Sequence, residues 1–539
     1  MRTTTSGSST LAACLLSALS QASIANAALY DSVIQTNYGG VQGYPAFNST
    51  PSQNLSNWQA ITVWKGIPFA ATTGGQNRWK APQPASAWNG TLDGKDYGNV
   101  CPSSSSSPEY TIDEDCLNLN IWSAANSTDA KLPVVMWSYP AYSTAADDLF
   151  DGAGMADKGV VYVNYNYRTG TFGWLAHPDL NTERYALNGH NSSGNYGMLD
   201  QFAALKWISD NIAAFGGDPE HITVMGQSAG SAATQHIVNS PLTKGLIVGA
   251  IIESGVREPH DPLVSSIAEN YRTLDFAVTQ GVSYLASKNV STIAQARQLA
   301  MSDLIENQFS FGGSDSSTSW TFTATLDYYA MPDTYYNTLV KGLANDVPLI
   351  TGNTRDESGA TWGLNLTVAE YLADLNTSYN ATYAQKFLAQ YPAGNDSQAA
   401  ASYNMQWTDR SMVGTWLWAR LWRTGGAKSP IYTYMWDHAP PNQTQGAYHE
   451  SEINYVLNNL YGTDDPWTDE DYEIATAMND YWVNFIKTGD PNGAGLADWD
   501  VTDDNPVTQE LGDGWGPMPI ATCGQLALFQ EWLNTQPVW

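Results

Sequence analysis

Between residues 196 and 235 the apolar positions change their period twice. Leu199, Phe202, Leu205, Ile208 and Ile212 recur at near-helical spacing, and such a one-sided apolar stripe predicts a helix. Gly216-Gly217 then stop that helix before Asp218-Pro219. The run HITVMGQ (221–227) reads as a strand, and the small-residue run that follows reads as a second helix. Helix, turn, strand, sharp turn and helix in succession is the order of an α/β sheet protein. PVVMW (133–137) and Val347 to Ile350 read as further strands. In the aromatic stretches Tyr403 to Trp422 and Tyr432 to Trp436, the helical separations of Trp407, Trp418 and Trp422 point to packed core more than to pocket lining.

The sharp turn carries GxSxG, with Ser228 at its centre. A strand-to-helix elbow lifts the Ser228 hydroxyl clear of the sheet, and Gly226 and Gly230 remove Cβ atoms that would crowd it. The start of the helix also aims the Ala229 N–H at the reacting centre. A serine hydroxyl needs a base to take its proton, and a histidine base needs a carboxylate to hold its tautomer. In a sheet protein with such an elbow the chain order is serine, acid, histidine. His236 lies within the elbow helix and His260 comes too early, which leaves His438 and His449. The acid belongs on a turn after a later strand, and VPLITGNTRDESG supplies the pair Asp356-Glu357.

Composition narrows the setting. Residues 1–27 read as a secretory signal, with Arg2, an apolar stretch from Leu11 to Leu19 and Ala25-Asn26-Ala27 as a small-residue cleavage site. That stretch is too short to span a bilayer, and no later segment replaces it, so no stable membrane anchor is expected. Residues 28–539 show no linker or repeat and read as one large domain with excursions. The formal net charge of −30 opposes binding to nucleic acid. Beyond the signal, Cys101 and Cys116 flank a short loop containing Ser103 to Ser107 and form the natural disulfide pair, which leaves Cys523 odd. Sequons at Asn48, Asn54, Asn89, Asn126, Asn191, Asn289, Asn365, Asn376, Asn380, Asn395 and Asn442 suggest a secreted glycoprotein.

With these residues in view, the chain resembles the type-B carboxylesterases, the family of secreted fungal esterases and lipases, animal carboxylesterases and cholinesterases. WKGIPFA (64–70), EDCLNLNIW (114–122), VNYNYRTGTFGWLA (163–176), GNYGMLDQFAALKWI (194–208), FGGDPEHITVMGQSAG (215–230), GNTRDESG (352–359) and KTGDPN (487–492) resemble its blocks in family order. The resemblance implies an α/β-hydrolase fold: a large, mostly parallel sheet flanked by helices, with a small N-terminal β-sheet and helical excursions. It implies Ser228 as nucleophile, Glu357 as acid and His449 as base, with Asp356 and His438 as the alternatives. It also implies the Cys101–Cys116 bridge, and it places Ser254 where its hydroxyl would hold the acid. No metal or organic cofactor is implied. The partner is a small-molecule ester, and the chain is expected as a monomer or homodimer.

Three departures bear on activity. The family's HGGG-like oxyanion run is replaced by Ser138-Tyr139-Pro140-Ala141-Tyr142, which contains no glycine. Ala141 and Tyr142 remain as N–H donors beside Ala229, although side chains there resist a positive φ. Such a turn suits a conventional esterase, a specialised acyltransferase or lactone-processing enzyme, or a protein of impaired turnover. Second, Gln227 replaces the glutamate that precedes the serine of cholinesterases, and the Cys101–Cys116 loop lacks their tryptophan, which disfavours choline esters. The same loop is short and polar, so it makes a poor lipase lid. Soluble short to medium acyl esters are therefore the expected substrates. Third, Glu450 follows His449 where a small residue is usual, and its charge is expected to favour the protonated base.

Overall fold

The computed structural model describes Met1 and residues 28–103, 110–266, 270–305, 320–342 and 345–539. The expected signal beyond Met1, and Ser104 to Ser107 of the serine patch, lie outside the described residues. An eleven-stranded sheet organises the chain. Its strands are β1 (Tyr44–Pro45), β2 (Thr62–Pro68), β3 (Asn118–Ser123), β4 (Leu132–Ser138), β5 (Val161–Tyr165), β6 (Gly217–Gln227), β7 (Gly249–Glu253), β8 (Leu349–Thr354), β9 (Ile431–Trp436), β10 (Val507–Leu511) and β11 (Trp515–Pro519). They lie side by side in the order β1-β2-β3-β5-β4-β6-β7-β8-β9-β10-β11. From β5 to β10 every neighbouring pair is parallel, and the outer strands pair antiparallel. This is the mostly parallel sheet expected of an α/β-hydrolase fold.

The central strands are continuous apolar runs because helices cover both faces of a parallel sheet. Every residue of β5, β7, β8 and β9 is buried. The expected helix forms as α1 (Tyr196–Asn211) and tightens into a 3₁₀ turn through Phe215. Gly216 ends it at φ 81°, a left-handed conformation open to glycine at little cost. The next strand starts earlier than the apolar pattern implies, at Gly217. Gly217 pairs with Leu132 ahead of a register shift between Leu132 and Val134. Pro219 falls in that interruption, where the ladder does not need its missing N–H.

After β6 comes α2 (Ala229–Asn239). Further along lie α3 (Val368–Gln390), α4 (Asp396–Thr424), α5 (Asp469–Thr488) and α6 (Cys523–Leu533). The main core gathers on the sheet, while Phe387, Trp416, Phe529 and Trp532 belong to a second core formed where α3, α4 and α6 meet. Trp407, Trp418 and Trp422 are buried, and the last two stack with ring centroids 5.5 Å apart, as their spacing suggested. The N-terminal sheet is three-stranded, from residues 33–35, 40–42 and 91–93. A two-stranded sheet, Tyr271–Thr273 with Ala324–Leu326, was not anticipated. Cys101 and Cys116 are bridged, and Cys523 is free and exposed. Among the described residues no helix is long and apolar enough to cross a membrane.

One buried ion pair ties helix to sheet. Arg168, just beyond β5, donates from Nε and Nη2 to the two carboxylate oxygens of Asp200 on α1, each at 2.7 Å. Both side chains are fully enclosed. Removing one partner strands the other's charge in a low-dielectric interior, which typically costs about 3–5 kcal/mol. Arg168→Met is therefore expected to lower stability by that order, read from the shift in the urea unfolding midpoint.

Candidate active site

The parallel strands all end on one side of the sheet, and matched register brings their ends level. Ser138 of β4 is paired with Gly226, Gln227 with Glu253, and Glu253 with Gly352. Residues just past these ends are neighbours in space however far apart they lie in sequence, and this edge is where open α/β sheets bind ligands. Ser228 follows β6, Glu357 follows β8, and His449 lies in the connection after β9.

Ser228 sits at φ 55° and ψ −118°, a strained conformation for a residue with a side chain. Its N–H donates to the Glu253 carbonyl at 3.0 Å, and its carbonyl accepts from Ser231 N at 2.9 Å. Both glycines of the motif are explained by close backbone approach. A Cβ on Gly230 would lie 1.9 Å from the Ser138 carbonyl oxygen, and one on Gly226 would lie 2.3 Å from the Gly230 carbonyl oxygen.

Glu357 is buried and accepts at Oε1 from Asn353 Nδ2 at 3.0 Å and Thr354 N at 3.1 Å. Its Oε2 lies 2.6 Å from His449 Nδ1. Asn353 is anchored in turn by Thr415 Oγ1 of α4, at 2.6 Å. Ser228 Oγ makes no hydrogen bond among the described residues.

The alternatives are engaged elsewhere. His438 is clamped between Asp513 (2.6 Å) and Asp471 (3.0 Å), with both ring nitrogens used. Asp356 accepts from Ala447 N at 2.8 Å while its own N–H donates to the Ala447 carbonyl at 3.0 Å. It thereby fastens the Glu357 turn to the segment that carries His449, a role no sequence signal revealed. The expectation for Ser254 needs correction. Its hydroxyl is buried without a hydrogen-bond partner, because Asn353 and Thr354 already serve the second oxygen of Glu357. Gln227 is buried, with Nε2 at a long 3.5 Å from His449 Nδ1.

The glycine-free turn after β4 is held by two tyrosines. Tyr139 and Tyr167 stack with centroids 4.7 Å apart, and Tyr167 Oη donates to the Tyr139 carbonyl at 3.1 Å. Tyr142 takes φ 66° despite the resistance expected from its side chain. A left-handed residue costs about 1–2 kcal/mol, and Tyr142 adopts this conformation while half exposed. Ala141, Tyr142 and Ala229 line one cleft with an internal volume of about 70 Å³. The three residues expected as oxyanion donors thus line a single cavity.

Carboxylates surround the histidine. Burial lowers the pKa of His449, but the Glu357 hydrogen bond and the charges of Glu357, Glu452 and Glu450 outweigh it and lift the value to about 9. At Glu357 burial is the largest influence and raises the pKa, but the hydrogen bond and charge of His449, the Asn353 hydrogen bond and the Arg257 charge together outweigh it and hold the carboxyl below the ordinary range. Two further glutamates are fully enclosed behind them. Glu253 accepts from Trp482 Nε1 at 2.7 Å, and burial pushes it up to about 8. Glu452, raised by burial and then by Glu253 and Glu357, makes no hydrogen bond with either oxygen. Glu450 is held at φ 80°, a strained conformation for a residue with a side chain. Among the described residues no cluster of side chains is arranged to hold a metal ion.

The model of the carboxylesterase family matches residues 30–511. The para-nitrobenzyl esterase of Bacillus subtilis (strain 168) is 30% identical over 85% of this chain and 90% of its own. The fumonisin B1 esterase of Sphingopyxis macrogoltabida is 32% identical over 81% of each chain. A solved structure of PNB esterase superposes with a TM-score of 0.72 at 28% identity, covering 92% of this chain and 99% of that one.

Two outcomes are expected. Gly230→Ala drives a methyl group into the Ser138 carbonyl, so its thermal midpoint should fall well below the parent's. Glu450→Gln removes a negative charge that favours the imidazolium, so the pKa of His449, followed by NMR titration of its ring, should move down from about 9.

Proposed function

The chain belongs to the carboxylesterase family and is a hydrolase of esters, and from that premise we propose a secreted serine esterase that uses Ser228, His449 and Glu357. The observation that carries the reading is the 2.6 Å contact between His449 Nδ1 and Glu357 Oε2, at the strand ends where Ser228 stands on its strained elbow. Glu357 fixes the imidazole so that Nε2 is free to accept the Ser228 proton. Ser228 Oγ then attacks the ester carbonyl, and the N–H groups of Ala229, Ala141 and Tyr142 receive the developing oxyanion. His449 gives its proton to the departing alcohol, and a water activated by the same ring releases the acid.

The glycine-free turn supports a site of fixed shape. The tyrosine pair holds the turn where glycines would leave it flexible, which favours donors that are in place before the substrate arrives. The cleft is mainly apolar and of modest size, which supports soluble short to medium acyl esters. Secretion is supported by the signal-like leader and by the sequons, whose asparagines are all exposed. We read residues 28–539 as one folded unit, acting as a monomer or homodimer.

Ser228→Ala should lower hydrolysis of p-nitrophenyl acetate by at least about 10³-fold while leaving the unfolding transition intact. Unchanged turnover in that variant would overturn the assignment. Across a series of p-nitrophenyl esters, kcat/KM should peak at short to medium acyl length. It should also rise from neutral pH toward pH 9, because only neutral His449 serves as base.

A further inference from the structure

The cleft beside Ser228 runs along α2 and ends on polar groups that nothing in the proposed mechanism uses. Ala229, Ala232, Ala233 and His236 line it in succession. His236 stands eight residues beyond Ser228, so at about 1.5 Å per residue it lies roughly 12 Å along the helix. The side walls are aromatic, from Tyr139, Tyr167, Trp174 and Phe322.

Two atoms on residues that line this cleft are buried without hydrogen-bond partners: Nδ1 of His236 and Oε1 of Gln201, a buried residue on α1. The His236 ring meets Trp174 at 6.5 Å, edge to face, and also lines a second, smaller cavity that adjoins the first at Ala232. Burial drives its pKa down to about 4, so the ring is neutral at working pH and has one nitrogen to donate and one to accept. Gln201 Oε1 can only accept. Unpaired buried polar atoms are costly, and a ligand that satisfies them recovers that cost.

Neither Ser228 nor His449 lines this cleft, whereas the proposed oxyanion residues Ala141, Tyr142 and Ala229 do. The departing alcohol must take its proton from His449, so it leaves on that side, and the cleft receives the acyl part. We propose that His236 and Gln201 select esters whose acyl group has an apolar, preferably aromatic, body and a hydroxyl at its far end. That hydroxyl donates to Gln201 Oε1 and shares the second hydrogen bond with His236. This inference rests on the proposed roles of Ser228 and His449.

The test compares two p-nitrophenyl esters that differ by one oxygen, 3-(4-hydroxyphenyl)propanoate and 3-phenylpropanoate, with p-nitrophenyl acetate as a measure of esterase activity. The parent should favour the hydroxylated ester in kcat/KM by about five- to tenfold, the range of one net hydrogen bond. His236→Phe, which keeps a planar ring, should bring the ratio to within about twofold. Gln201→Met should reduce it independently, which covers the case of a His236 variant that does not fold. Acetate hydrolysis with a parent ratio near one, or a ratio unchanged in a folded His236→Phe protein, would overturn the inference and leave the esterase reading standing. Failure to hydrolyse any ester would overturn both.

Discussion

Backbone touching backbone at the end of the sheet is the constraint on which the rest depends. The first turn of α2 lies against the last carbonyl of β4 so closely that even a methyl group on Gly230 would overlap the Ser138 oxygen. That contact sets the distance between the elbow carrying Ser228 and the turn carrying Ala141 and Tyr142. A reacting carbonyl must be reached by a hydroxyl from one side and by N–H groups from the other, so this spacing decides whether a single substrate position serves both. Side chains elsewhere can adjust by changing rotamer. Two pieces of backbone in contact cannot, and the glycine requirement follows directly.

A second constraint is electrostatic. Glu253, Glu357 and Glu452 are all enclosed beneath the site, where charge is expensive. The molecule resolves this unevenly. Glu357 keeps its charge because three hydrogen bonds, one of them to His449, hold it. Glu253 and Glu452 are pushed toward their neutral forms instead. This division leaves one negative charge where a cation forms during proton transfer, and it keeps the layer behind it close to neutral. Strain is concentrated in the same place, with Tyr142, Ser228, Ser254 and Glu450 all at positive φ. Such conformations persist only where surrounding packing over-determines them, and the aromatic core beneath the strand ends supplies that packing.

The turn proposed to receive the oxyanion is built without glycine. The turn after β4 contains Pro140 and is flanked by a stacked pair, Tyr139 and Tyr167. The same pair shapes the cleft, since Tyr139 and Tyr167 both line it. A glycine-free turn and an aromatic wall therefore draw on the same residues.

Much of this was legible in the chain before folding was considered. Period and punctuation located α1, β6 and the Ser228 elbow, because local sterics and the burial of one face act within a few residues. The resemblance to carboxylesterases reached Glu357, His449 and the Cys101–Cys116 bridge through short blocks in a fixed order. Other features had no local signal. The early start of β6 depends on a register shift against β4, and no local residue pattern announces the left-handed conformation of Tyr142. Asp356 acts as a clasp, and the Ser254 hydroxyl stays unpaired, because of partners roughly a hundred residues away in the chain. Sequence alone determined which residue types could do the chemistry and the order of the elements that carry them. Which of those residues meet, and at what spacing and charge, was decided only by the tertiary structure, because parallel strand ends bring distant segments together and the interior between them sets the cost of every charge.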